Sequence, residues 1–555
     1  MTKIDGLVIA EADGIPLLLA EGREPFSGGI VFRVGAADES LPLAGITHLI
    51  EHLVVEDQTT GLDMHNATTE DGFTHFFVAG RAPADVVAFL NGVCAGLRNP
   101  PLERMDANRR VLEAEMAYRG PHAAANNALE RFGARGPGLR AYRELGLGTL
   151  TPAAVTSWIE KYFTTENAVA WVSTASKPAG LDLRLESGRR EELPRWSGES
   201  AGGLWFTGPP GGVHADAMIP RSSAGVVLSW IIQRDLFSTL RTREGVSYAP
   251  RCDYEVLDDV SARLLITADA APGMEDAVVS GILEVLIGVR DGIVPQEELD
   301  QARRATEPAV PRELAGSLAY LAREYLAGRE LVDPSRLEIE RAAVTPAQLH
   351  EIAQTAWRTL IVQAPAEDLD WTGLSRVPPQ PPKRISGRRF AFTGLRDRSL
   401  TVGADGVALR FSNGTHAVRF AECAAMIAFG DGGRTLIGSD GWSVSLEPTL
   451  CRGLKPRIIE QVDRAVSPEA VIRRPARPHA EIPRPPAMSA RDRGTRRIAV
   501  LMTCATLFVV FFGISVAHDT DWTDAATVAP FFVLLVSFGA VTALLWWLVL
   551  RRARM

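Results

Sequence analysis

Cysteine is scarce and scattered in this chain. Its five thiols, Cys94, Cys252, Cys423, Cys451 and Cys504, form no C-x-x-C pair. That argues against a thiolate zinc site and against a disulfide framework, and fits a reducing compartment. Cys423 and Cys451 are expected as two small buried side chains rather than a bridge. Positive charge is not in excess either: 59 Lys and Arg stand against 67 Asp and Glu, a net charge of −8. A general nucleic-acid binder carries a basic footprint, so no nucleic-acid partner is expected. The N-terminus lacks a basic start followed by an unbroken apolar core, because Asp5, Glu11 and Asp13 interrupt it. No secretory signal is read there.

The C-terminus differs. Residues 498–517 carry no charge, enough to span about 30 Å as a helix, and 528–550 form a second such stretch. Arg491, Arg493, Arg496 and Arg497 precede the first, and Arg551, Arg552 and Arg554 follow the second. The loop between holds Asp519, Asp521 and Asp524 and no Lys or Arg. By the positive-inside rule both termini face the cytoplasm. The expectation is a multi-pass membrane protein, a two-helix transmembrane hairpin carrying a large cytoplasmic part.

At 555 residues there is room for several domains. Residues 7–19 read as a hairpin around Asp13-Gly14, and 29–34 as a third strand. An aromatic strand at 72–79, helices at 84–97 and 102–118, a Thr151-Pro152 helix start and a strand at 168–172 follow. After a polar stretch at 175–200, Thr345-Pro346 and the strand at 359–363 repeat that helix-strand ending, which suggests a duplication with a period near 190 residues. The fold class expected is α+β: two duplicated half-domains, each an antiparallel sheet covered by helices, over 1–180 and 200–370. A Pro-rich linker (371–385) leads to a β-rich module (386–466) that resembles a pleckstrin-homology-like domain. A Pro- and Arg-rich tract (467–497) is expected as a disordered tether.

The chemistry centres on His48-Leu49-Ile50-Glu51-His52, an H-x-x-E-H pattern. On a helix, His48 and His52 stand one turn apart on one face, so both imidazoles can reach one metal. Glu51 lies beside that face and can approach a metal-bound water. Ile46, Leu49, Ile50, Leu53 and Val54 would bury the opposite side.

Around this pattern lie Phe32-Arg33-Val34-Gly35-Ala36-Ala37-Asp38-Glu39, Asn66-Ala67-Thr68-Thr69, Asn99-Pro100, Val111-Leu112-Glu113-Ala114-Glu115-Met116 and Tyr162 to Asn167. Farther on, Leu240-Arg241 reaches Gly245-Val246-Ser247-Tyr248. In these stretches residues 1–365 resemble the pitrilysin–insulinase family of zinc metallopeptidases, in its two-half, processing-peptidase-like form. The resemblance implies Zn2+ held by His48, His52 and Glu115, with Glu113 a weaker candidate two residues off the family setting. It implies Glu51 as the catalytic base, Arg241 and Tyr248 as substrate-orienting residues, and Asn66 and Ala67 on an edge strand that takes up a peptide. It also implies a chamber of four half-domains, hence a homodimer or a paired subunit. The chain departs from the family in its short His52-to-Glu115 spacing, in Val54-Val55-Glu56-Asp57, and at Asn108, where the family has an acid seven positions before the third ligand.

The function expected is a membrane-anchored zinc endopeptidase that cuts extended peptides or small unfolded proteins. The alternative is a weak or inactive peptidase-fold scaffold that binds a partner peptide at the membrane. A transporter is not expected, since the two C-terminal segments carry no intramembrane charge.

Overall fold

A computed structural model describes residues 4–55, 64–119, 124–196, 203–292, 294–306, 313–366, 368–369, 372–380, 383–395, 397–412, 414–485 and 547. The first half comprises β1 (Val8–Ala12), β2 (Ile15–Leu19), β3 (Phe26–Phe32), α1 (Ile46–Val55), β4 (Met64–Thr69), β5 (Thr74–Gly80), α2 (Pro83–Arg98), α3 (Met105–Arg119), α4 (Ala125–Phe132), α5 (Pro152–Tyr162) and β6 (Ala168–Val172). The second comprises β7 (Leu204–Thr207), β8 (Gly212–Pro220), α6 (Ser223–Leu236), β9 (Arg251–Val256), β10 (Ser261–Asp269), α7 (Glu275–Asp291), α8 (Gln296–Ala305), α9 (Leu318–Leu326), α10 (Pro334–Ala342), α11 (Pro346–Thr359), β11 (Ile361–Ala364) and β12 (Ser375–Arg376).

Each half is built on a six-stranded sheet, in the orders β1-β2-β6-β3-β5-β4 and β12-β7-β11-β8-β10-β9. The expected antiparallel sheets are corrected to mixed ones: β2 pairs with β6, and β7 with both β11 and β12, in parallel. The reason is connectivity. The strand after each Thr-Pro helix is inserted into the sheet instead of being added by a hairpin. Both Thr-Pro starts are real caps, with Thr151 Oγ1 accepting from Ala154 N–H and Thr345 Oγ1 from Gln348 N–H.

The central strands of the first sheet are apolar at consecutive positions because both faces are covered. Leu17, Leu19, Ile30, Phe32, Ala170 and Val172 join the core beneath the helices of the first half. Leu18, Val31, Val169 and Trp171 point the other way, against Leu318, Leu321 and Ala322 of α9, a helix of the second half. The exchange is reciprocal. In β8, Val213, Ala215, Ala217 and Ile219 enter the core of the second half, while Asp216 and Met218 face α4 of the first. There Arg131 donates to Asp216 at 2.7 Å and to the Thr359 carbonyl at 2.7 Å, and Ala128 and Phe132 pack on Met218.

The third region holds β13 (Gly387–Ala391), β14 (Ser399–Gly403), β15 (Gly406–Arg410), β16 (Thr415–Arg419), β17 (Cys423–Phe429), β18 (Arg434–Gly438), β19 (Ser443–Leu446), α12 (Pro456–Ala465) and β20 (Val471–Arg474). Two four-stranded sheets enclose a core of Phe390, Leu400, Val418, Met426, Leu436 and Val444, closed by Ile458, Ile459 and Val462 of α12. Cys423 and Cys451 are free thiols, as expected.

Two expectations change. The disordered tether does not begin at 467: Val471–Arg474 is a strand paired in parallel with β17, and Arg477 binds Asp431 and Glu447. Four residues between prolines are too few for periodicity to reveal. The membrane address is also corrected. No helix among the described residues is long and apolar enough to cross a membrane. The expected spans, 498–517 and 528–550, lie outside the described residues apart from Trp547, and the membrane address is withdrawn.

His75 on β5 offers a pH test remote from the motif. It is buried, its Nε2 accepts from the Trp171 indole N–H at 3.1 Å, and it stacks on Phe77 with ring centroids 4.8 Å apart. Burial, assisted by the Arg323 charge, pushes its imidazole down to about 3. The folded state therefore holds the neutral ring, whereas the unfolded chain protonates near 6.5. His75 thus destabilises the fold progressively as pH falls from 6.5 towards 3, by up to about 1.4 kcal/mol per pH unit. Urea unfolding across pH 4 to 8 should show this slope in the wild type and lose it in His75→Gln.

Candidate metal centre and cleft

The motif helix is held from its start. Arg33, fully buried, donates to both oxygens of Asp38 at 2.8 and 2.9 Å, and Asp38 accepts from Gly35 N–H at 2.8 Å. This fixes the turn that presents Glu39 to α1. The Glu39 carboxylate accepts from Gly45 N–H at 2.8 Å and from Thr47 N–H at 2.9 Å, satisfying donors that an unextended helix end leaves open. Burial pushes the Glu39 carboxyl up to about 7, against the downward pull of those N–H groups. Ile46, Leu49, Ile50 and Leu53 have no exposed surface, and the Trp158 indole donates to Thr47 Oγ1 at 3.2 Å.

With α1 seated, the His48 and His52 rings lie 4.8 Å apart, centroid to centroid. On α3, Leu112 is buried and Glu113 exposed. Helical phase therefore carries Glu115, rather than Glu113, towards the imidazoles. Glu115 Oε2 is 3.9 Å from His48 Nε2 and 3.7 Å from His52 Nε2. All three donor atoms fall within 4.8 Å of one another. Ligands on a tetrahedral zinc with bonds of 2.0–2.2 Å stand roughly 3.3–3.6 Å apart, so the two Glu115–imidazole separations come within a few tenths of an ångström of that spacing. Two imidazoles and a carboxylate also match the ligand chemistry of a catalytic zinc.

Glu51 is buried beside this triad, and its Oε2 accepts from the Thr69 hydroxyl at 2.6 Å. Asn108 is buried on α3, its side-chain amide donating to the Arg104 carbonyl. Asn66 and Ala67 lie on β4, the last strand in the sheet order, with Asn66 exposed and Ala67 buried.

Four contributors escape sequence reasoning: Glu39, Thr69, Glu144 and Asp269. Glu144 Oε1 stands 2.5 Å from His48 Nδ1, 96 positions apart in the chain. Burial disfavours a charged His48, but the Glu144 hydrogen bond and the charges of Glu144, Glu51 and Glu115 outweigh it and raise its pKa. Gly45 lets Glu144 in: its φ is +96°, and a Cβ there would stand 2.8 Å from the Glu144 Cβ. Glu144 lies outside helices and strands, so no periodicity marks it. For Glu39 the available signal was an acid just ahead of the helix start.

The triad opens into a cleft of about 1620 Å³ lined from both halves. Strand alternation builds the far wall: Leu264 and Ile266 of β10 enter the core, while Arg263, Leu265, Thr267 and Asp269 face the cleft. Arg140 ties the walls together, donating to Asp71 at 2.7 Å and pairing with Glu255 of β9 at 2.9 Å. Tyr248 lines the cleft. Arg241 sits in a π-helical turn, Phe237–Arg243, that extends α6. Its exposed guanidinium stacks over Tyr248 at 4.7 Å and Phe237 at 4.9 Å, outside the cleft lining. Asp269 holds the loop between them, accepting from Tyr248 N–H at 2.9 Å, Ala249 N–H at 2.7 Å and Ser247 Oγ at 2.9 Å. Burial works against its charge, but these donors keep its carboxyl below the usual range.

A family profile described as "Peptidase M16 inactive domain" matches residues 145–306. No curated protein sequence matches the chain. Among solved structures, a protease from Helicobacter pylori aligns at 15% identity over 64% of this chain and 98% of its own, with a TM-score of 0.54. A peptidase M16 inactive domain from Pseudomonas fluorescens aligns at 14% over 67% and 100%, TM-score 0.53. The periplasmic protease PqqL from Escherichia coli aligns at 13% over 74% and 56%, TM-score 0.51. The chain thus has an M16-like peptidase fold.

Asp269→Ala removes the acceptor for three donors at the Tyr248 loop. The expected outcome is a loss of about 2 kcal/mol of stability, with amide exchange across 245–249 faster than in the wild type. Unchanged exchange there would show that the loop is held by something else.

Proposed function

We propose that the cleft is a zinc-dependent endopeptidase site acting on extended peptide segments. The observation that carries the reading is the meeting of His48, His52 and Glu115 donor atoms within 4.8 Å, with Glu51 on the same helix as the two histidines. Bound zinc would supply Lewis acidity towards water and towards a carbonyl. Glu51 would take a proton from the attacking water and return it to the leaving amine, while Thr69 holds one carboxylate oxygen and so limits its rotation. Asn66 and Ala67 would receive the peptide as an added strand along the edge of β4. Tyr248, with the Arg241 guanidinium stacked on its ring, would orient the substrate backbone from the second half. Because the cleft is bounded by two half-domains, pairing of two copies would enclose it further.

The alternative is a peptidase fold that binds a peptide without cutting it. It draws on the word "inactive" in the matching family description. That match spans residues 145–306 and does not reach His48, Glu51, His52 and Glu115.

The test is metal content and peptide cleavage by the full chain, beside Glu51→Gln and Glu115→Ala. Glu51→Gln should keep its zinc and lose cleavage by about 10²–10⁴-fold, and Glu115→Ala should lose zinc. Zinc uptake without cleavage by the wild type would favour the binding-only reading. Cleavage that survives Glu51→Gln would overturn the role given to Glu51.

A further inference from the structure

We infer that the C-terminal β-rich module is a working part of the metal site: docked on residues 133–147, it holds Glu144 against His48. Glu144 is a positioning residue here, since it touches His48 Nδ1 and not the opposite nitrogen that faces Glu115. A partner of this kind sets the orientation of a ligating imidazole. The inference rests on the proposed zinc site for one of its two readouts.

Glu144 has little local support. It lies between two 3-10 turns, Gly136–Tyr142 and Leu147–Thr149, and follows Arg143, whose φ is +55° and ψ −144°. Glycine visits that region readily and other residues do not, so surrounding contacts must impose it.

The module supplies those contacts. Ala134 N–H donates to the Ser439 carbonyl at 3.0 Å, and the Tyr142 hydroxyl to the Gly441 carbonyl at 3.2 Å. Arg474, on β20, donates to the Leu145 carbonyl at 2.6 Å, one residue beyond Glu144. Strand alternation supplies the apolar part. Met426 and Leu436 point into the module's own core, while Ala425, Ile437 and Ile472 face outward onto Leu41, Ala134 and Leu139. Leu41 belongs to the turn just ahead of α1, so the same patch braces the entry to the motif helix. Backbone packs on backbone at one point: Gly133 has a φ of +68°, and a Cβ there would meet the Ser439 carbonyl at 2.2 Å. The module thus grips the segment on both sides of Glu144.

The test uses the full chain with Tyr142→Phe and Arg474→Ala together, which cut two tethers and leave both cores intact. Glu144→Gln and the triple variant complete the set. Zinc affinity is read by chelator competition, and docking by amide hydrogen exchange over 139–147, with β17 and β18 as the internal check that the module stays folded. The double variant should speed exchange over 139–147 about tenfold and weaken zinc about tenfold, and Glu144→Gln alone should weaken it about 10- to 100-fold. Adding the double change to Glu144→Gln should weaken zinc little further, because both act through one contact. Wild-type exchange in the double variant overturns the inference. So does faster exchange with wild-type zinc affinity, or a loss that adds in full to that of Glu144→Gln. A wild-type chain that takes up no zinc fails the metal reading instead, and exchange over 139–147 then decides the docking alone.

Discussion

Burial of α1 is the constraint on which the site depends. Ile46, Leu49, Ile50 and Leu53 are shut away from solvent, so the helix cannot roll without opening the core of the first half. Each large aliphatic side chain pulled from such a core costs about 2–5 kcal/mol. Their spacing leaves one polar edge, and that edge is His48, Glu51 and His52. The N-terminus of the helix is fixed by Glu39, and Glu39 in turn by the Arg33–Asp38 pair. Freedom that remains to the imidazoles is taken up from outside the helix, by Glu144 on His48 and by Glu115 across from both rings.

A second constraint keeps the cleft's two walls in register. Each half lends a helix to the other's sheet, α9 to the first and α4 to the second. The buried Arg131–Asp216 pair extends through Arg263 and Glu255 to Arg140 and Asp71 at the cleft surface. Removing one member of a buried pair strands the other, at about 3–5 kcal/mol, so the network favours one arrangement of the halves. Asn108 replaces an acid of the family that the chain resembles. The carboxylate that meets His48 Nδ1 comes from Glu144, in a segment that the β-rich module grips.

Much of this was legible in the sequence. The Thr-Pro helix starts, the strands after them and the duplication they imply follow from local rules, capping chemistry and period-two or 3.6 patterns. What escaped has a common cause. Leu17-Leu18-Leu19 and Ala168 to Val172 read only as apolar strands, because continuous burial cannot say which helix covers the second face. The mixed pairing and the exchanged helices were hidden for that reason. Val471–Arg474 is too short to carry a period, and the membrane address found no supporting helix among the described residues.

By itself the sequence determined the motif, its helix and the α+β character, since these depend on neighbours within one or two turns. The resemblance already put Glu115 ahead of Glu113; the tertiary structure is what brings its carboxylate to 3.9 and 3.7 Å from the two imidazoles. It alone brought Glu144, Thr69 and Asp269 to the cleft. Each of these lies on a turn, at a strand end or in a loop, where position comes from contacts tens to hundreds of residues away and no local pattern records them.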